Sequence, residues 1–184
     1  MALRTLIAPD DCVEQYEAAA GEHQEAGLLL MANGSAQGIA MMALSAEMLL
    51  KAAYFRAIGY APTRTVVISA DLPDARVDII SLGVPQPQGQ AYHSLEFWAE
   101  GLIALRQQGL PSRTHHGRVY ATVAAQSMTG TDEIHLRQCV ARLATNWEIG
   151  DRYRSLTPFA NKKDMEDVFD DAVEIMHLYD QGKV

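Results

Sequence analysis

"ALSAEMLLKAAYFRAIGY", residues 43–60, is among the most apolar stretches of this chain, yet it carries Glu47 and Lys51 one helical turn apart. From Ile39 to Phe55 almost every residue is apolar. A helix that is apolar on all sides belongs at the centre of a bundle. The stretch therefore predicts a core helix running from about Ala36 to Ile58, with Gly59 as its C-terminal stop. On a surface, an i,i+4 Glu–Lys pair contributes only about 0.3–0.5 kcal/mol. Within a buried helix the same two charges must find partners, because removing them from water is costly.

Helices are expected on both sides of this one. Asp11 and Glu14 have capping-box spacing, and Val13, Tyr16, Ala20 and Leu30 recur at roughly helical intervals through residues 12–32, with "NGS" at 33–35 breaking or loosening the pattern. Residues 61–90 read differently. "TRTVVIS" and "RVDIISL" are short β-branched runs separated by "ADLPDA", the pattern of an inserted β-hairpin, and "GVPQPQGQ" then leads back to helix. Leu95, Trp98, Leu102 and Leu105 lie three and four residues apart in a helix ending at Gly109. "GLPSRTHHG" is a loop, "RVYATVAAQSM" is ambiguous, and a long helix with an acidic first turn follows from Thr131 to Tyr153. Thr157 and Pro158 open a last helix, with Met165, Val168, Phe169, Ala172, Met176 and Tyr179 on one face and six acids, Asp164, Glu166, Asp167, Asp170, Asp171 and Glu174, on the remainder. The fold class is all-α: a single domain over residues 1–184, a bundle of about five helices with residues 61–90 inserted as a small β-hairpin.

Composition narrows the classes of function. A net charge of −8 and a pI near 5.1 oppose a broad electrostatic grip on duplex DNA. Basic residues do cluster locally, in "PSRTHHGR" (111–118) and "GDRYR" (150–154). Cys12 and Cys139 suggest neither a disulfide framework nor a zinc site. "MALRTLIAPDD" lacks the long apolar region of a signal peptide, and Glu47, Lys51 and Arg56 interrupt the longest apolar segment, so a cytoplasmic protein without a membrane partner is expected. No phosphate-binding glycine motif, nucleophile elbow or His-Glu-x-x-His is present, and Glu133 and His135 are too closely spaced to share a helical face. No metal site or cofactor is expected.

Three segments in order carry a resemblance. "LSAEMLLKAAYF" looks like the second-helix signature of the HEPN family (higher eukaryotes and prokaryotes nucleotide-binding), in which an acid and a lysine sit one turn apart. "YHSLEFW" resembles the His-Asp-Leu segment that opens the next helix in that family, with Ser94 in place of the acid, and "NWEIGDRYR" resembles the helix end leading to an Arg-Tyr pair. The resemblance covers most of the chain apart from the 61–90 insert. It implies a helical homodimer, and in many members a metal-independent ribonuclease built on an Arg and a His separated by four to six residues. In such an enzyme a His moves the proton of the ribose 2′-hydroxyl while an Arg stabilises the developing phosphate charge. This sequence contains no such pair. At the matching helix Arg142 is followed by Asn146 and Trp147, neither of which is a base near neutral pH.

The expected function is therefore a non-catalytic helical dimer that binds RNA, a nucleotide or a partner protein through a cleft lined by Glu47, Lys51, Arg142, Asn146, Arg152 and Arg154. The alternative is a ribonuclease whose base is His93, the single candidate. Each residue has a plainer reading. Glu47 and Lys51 can form a structural ion pair facing a neighbouring helix or the dimer mate. His93 can be a neutral capping or packing group. Arg152 and Arg154 can complement a helix dipole. The acids of the last helix can form a solvated face, and Trp98 and Trp147 can belong to the core or a dimer contact.

Overall fold

The computed structural model describes residues 10–35, 37–87, 93–110, 113–115, 118–120, 128–146 and 162–183. Among these are six α-helices and two short antiparallel sheets of two strands each. In chain order they are β1 (Asp10–Cys12), α1 (Val13–Ala32), α2 (Gln37–Ala57), β2 (Thr65–Val67), α3 (Ile68–Ser81), α4 (Leu95–Gln108), β3 (Arg113–His115), β4 (Arg118–Tyr120), α5 (Gly130–Asn146) and α6 (Lys162–Asp180).

The apolar stretch forms the centre of the fold, as its composition predicts. Helix α2 packs against α1, α4, α5 and α6, and it buries sixteen residues from Gly38 to Phe55. By length and composition α2 also passes as a membrane span, contrary to the expectation that its charges rule this out, but 89% of its most apolar window is buried within the bundle. Tyr54, Phe55 and Trp98 meet beneath it in tilted and edge-on contacts at 5.6–6.4 Å, so Trp98 is a core residue. Trp147 lies outside the described residues.

"NGS" breaks the helix: α1 ends at Ala32, and Asn33 caps it with its backbone and side-chain amides directed at carbonyls of the last turn. The two helices then touch at their glycines. A Cβ on Gly38 would lie 2.7 Å from the Gly27 carbonyl oxygen and 2.8 Å from the Met31 backbone nitrogen, so only bare backbone fits there. At the other end of α2, Gly59 takes φ +91° and its N–H reaches the Arg56 carbonyl. Glycine adopts that conformation without steric penalty.

The insert contains a strand, but its second β-branched run is helical. β2 pairs with β1, with Cys12 opposite Thr65 and Asp10 opposite Val67, while α3 occupies 68–81 where the sequence pattern predicts the return strand. Leu72, Ala75 and Ile79 fall at helical spacing and bury one face of α3, and this stripe outweighs the β preference of Val77, Ile79 and Ile80. Two buried acids reinforce it. Asp71 accepts from Tyr60 Oη at 3.0 Å and from the Val67 N–H at 2.7 Å, and Asp78 lies 3.4 Å from Tyr54 Oη. Pro73 sits inside the helix, where "LPD" suggests a turn.

Smaller differences follow from local hydrogen bonding. The cap of α1 is displaced by one residue: the Cys12 N–H donates to Gln15 Oε1 at 2.7 Å, in place of the Asp11–Glu14 box. "PSRTHHGRVY", expected to be loop and ambiguous segment, supplies β3 and β4. The expected continuation of α5 to Tyr153 and the Thr157–Pro158 start of the last helix lie outside the described residues.

Candidate functional site

Helix α2 carries Glu47 and Lys51 into the bundle, where they are 3% and 5% exposed. Their i,i+4 spacing places both on one face, and Lys51 Nζ donates to Glu47 Oε1 at 2.5 Å. The third member comes from the segment before α4: His93 Nδ1 lies 3.0 Å from Glu47 Oε1 and 3.3 Å from Oε2. Ser94 is the N-cap of α4 and accepts from the Phe97 N–H at 3.2 Å. Capping therefore falls to Ser94, leaving His93 to turn its ring to the acid. The Lys51 ammonium also lies 5.6 Å from the centre of the Trp98 ring, a cation–π contact in a desolvated setting.

The electrostatics of this cluster balance locally. Burial disfavours the charged form of Glu47, but the Lys51 ammonium and the hydrogen bonds from His93 and Lys51 outweigh it and hold the carboxyl below its usual range. Glu47 is thus an anion at neutral pH, bound by two nitrogen groups. A buried carboxylate on Nδ1 also orients the imidazole, and the His93 side chain remains about one-third exposed (34%).

Arg142 belongs to a different constellation. Its guanidinium grips both oxygens of Asp171 on α6, with Nε 2.8 Å from Oδ2 and 3.1 Å from Oδ1, and with Nη2 on Oδ1. The acid is buried and the arginine is half exposed, so Arg142 closes the acid from outside. Hydrogen bonding to Asp171, and then its charge, raise the Arg142 pKa further above its ordinary value. Cys139 lies below the pair, its thiol pushed up to about 12 by burial and then by Asp171. Asn146 ends α5; Arg152 and Arg154 lie outside the described residues.

Two pairings of the expected cleft are therefore on different helices: Glu47 with Lys51 and His93 between α2 and α4, and Arg142 with Asp171 between α5 and α6. The sequence pattern groups Asp171 with the solvated acids of the last helix, and the structure buries it. Its spacing holds the signal, since it falls between Val168 and Ile175 on the buried stripe of α6. A third charged knot, also unforeseen, joins three helices: Glu17 on α1 accepts from Arg56 on α2, including Nη2 to Oε2 at 2.7 Å, and from Tyr179 on α6.

An open cleft of about 650 Å³ lies between the end of α1 and α6, lined by Leu28, Met31, Ala32 and Phe169 with Glu166 and Asp170. Among the described residues singled out from the sequence for binding, Glu47, Lys51 and Arg142, none lines it. Among the described residues no group of three His, Cys, Asp or Glu side chains could hold a metal ion. No protein-family model matches the chain, and no curated protein or solved structure matches it either.

Proposed function

We propose that this chain is a non-catalytic, HEPN-like helical binding module that acts as a homodimer on RNA, a nucleotide or a partner protein. The observation that carries this reading is the internal compensation of the charged groups. Glu47 is bound by Lys51 and His93, and Arg142 is aligned by Asp171. Glu47 and Lys51 lie one turn apart on α2 and are buried, so they meet each other rather than a substrate in water. Arg142 is half exposed, and its guanidinium fork is held in place by Asp171. Asn146, Arg152 and Arg154 follow it closely in sequence and are the residues assigned to the same contact.

The test is a mass measurement and a binding titration on the purified protein. A dimer near twice 20.2 kDa, with binding of labelled single-stranded RNA, ATP or a partner that weakens in Arg142→Gln and Arg152→Gln, is the expected result. A monomer indifferent to all three classes of ligand would defeat the proposal.

One observation favours the alternative, a metal-independent ribonuclease. The buried carboxylate on His93 Nδ1 is the arrangement that orients a general base and leaves Nε2 to act. That reading also needs an arginine at the same phosphate, and Arg142 is held by Asp171 on another helix pair. RNA cleavage without metal that disappears in His93→Ala would establish it.

A further inference from the structure

Helix α1 ends in an apolar run that the rest of the bundle leaves partly in water. Residues 26–32 read "AGLLLMA", and Leu28 and Leu29 remain 49% and 66% exposed. Leu28, Met31 and Ala32 form one wall of the open cleft of about 650 Å³, and Phe169 on α6 stands in the other with Glu166 and Asp170. The two acids are exposed and Phe169 is half-buried, so the cleft is apolar within and acidic at its mouth. Adjoining apolar surface of this kind, rimmed by polar groups, marks a contact site.

The charge around the cleft selects its occupant. Val13–Ala32 contains four acids and Glu166–Asp180 contains six, and neither stretch contains a Lys or Arg. Glu17 and Asp171 are engaged by Arg56 and Arg142, whereas Glu22, Glu25, Glu166, Asp167 and Asp170 are exposed. A surface of this sign repels nucleic acid, nucleotides and anionic lipid. Two copies joined face to face through it would set acids against acids, which is costly across an interface. A protein segment with lysines or arginines flanking an apolar stripe complements both features.

The walls also select the segment's conformation. Both are helices with their backbone groups bonded internally, and the last carbonyls of α1 accept from the Asn33, Gly34 and Ser35 N–H groups. They offer no edge to an extended strand. A helix arrives with its own backbone satisfied and inserts side chains spaced three and four residues apart.

We infer that the α1–α6 cleft is a docking groove for a basic amphipathic helix of a partner protein, with Leu28, Met31 and Phe169 receiving its apolar side chains and Glu166 and Asp170 its cations. The groove shares no lining side chain with Glu47, Lys51, His93 or Arg142, so it goes beyond the proposed function and stands or falls apart from it.

Fluorescence anisotropy on the full chain tests the inference. The probe is a labelled peptide of about four helical turns made of leucine and lysine, with leucines at i, i+3, i+4 and i+7, beside the same peptide with glutamate in place of lysine. The lysine peptide is expected to bind, more weakly as salt rises, and the glutamate peptide at least about tenfold less tightly. Leu28→Ser weakens binding of the lysine peptide by about three- to tenfold, because half of that side chain is still open to burial. Glu166→Gln with Asp170→Asn weakens it by about three- to thirtyfold and lessens its salt dependence. Glu96→Gln with Asp180→Asn removes the same charge from exposed acids that do not line the cleft, and matches the wild type. Circular dichroism melting verifies that each variant is folded. Failure of the lysine peptide to bind, equal binding of the glutamate peptide, unchanged affinity in Leu28→Ser, or a control double variant that weakens binding as much as the cleft double variant overturns the inference. So does a wild-type dimer, seen by light scattering, that Leu28→Ser dissociates, because the cleft would then belong to a second copy.

Discussion

Glu47 has a proton affinity set by its neighbours, and this makes a stability statement. Its carboxyl ionises at lower pH in the folded chain than the ordinary value of 4.5, because the Lys51 ammonium and the His93 hydrogen bond overcome burial. The folded state therefore binds fewer protons, and the stabilisation is complete above about pH 4.5 and lost as pH falls below it. Glu47→Gln is expected to flatten this acid limb in chemical denaturation from pH 7 to pH 3; an unchanged limb would show that other carboxyls set it. Removing one partner of a buried pair is costly, so Lys51→Met should destabilise by about 3–5 kcal/mol, and adding Glu47→Gln should recover part of that. Strict additivity in urea melts would mean the pair is not coupled. Cys139 should resist a thiol reagent at pH 8 until the chain unfolds, since it is buried and burial pushes its thiol up to about 12. Rapid modification of both cysteines in the native state would contradict its placement. At this scale the Glu47–Lys51 pair is legible from i,i+4 spacing alone. The His93 contact is not, because it joins residues 46 apart in sequence.

Helices are legible where a stripe and its stops coincide. Gly59 and Gly109 end α2 and α4 where the pattern predicts, and α2 is central because it is apolar all round. Helix α3 resembles a strand in sequence because Val77, Ile79 and Ile80 outvote a shorter stripe, and because Pro73 looks like a turn. The acids that secure α3, Asp71 and Asp78, do so through tyrosines on neighbouring segments, a tertiary effect without a local signature. Contact between α1 and α2 is similarly invisible in propensity, yet it depends on two glycines. Gly38→Ala would press a methyl group onto the Gly27 carbonyl and the Met31 backbone. Overpacking of this kind costs about 1–3 kcal/mol. Thermal melting should therefore fall by about 2–12 °C for a chain of this size. A melting point equal to or above that of the wild type would show that the helices separate without penalty.

At the scale of the molecule, the all-helical bundle follows from the distribution of apolar residues, and five of the six helices among the described residues answer to elements predicted from the sequence. The charged groups behave differently, because the sequence pattern gathers them into one cleft while the structure divides them between two helix pairs. Glu47 holds Lys51 and His93 at α2 and α4; Arg142 and Asp171 lock α5 to α6. Pairing of Glu47 with Lys51 and His93 explains why α2 tolerates charges at its centre. The same pairing is the physical ground for the proposal that the protein binds without cleaving. The most direct measurement is to incubate the full chain with a labelled pool of single-stranded and structured RNA in a chelator, beside His93→Ala. The account predicts intact RNA in both samples. Cleavage by the wild type that is abolished in His93→Ala would contradict it and make His93, oriented by Glu47, the base of a ribonuclease.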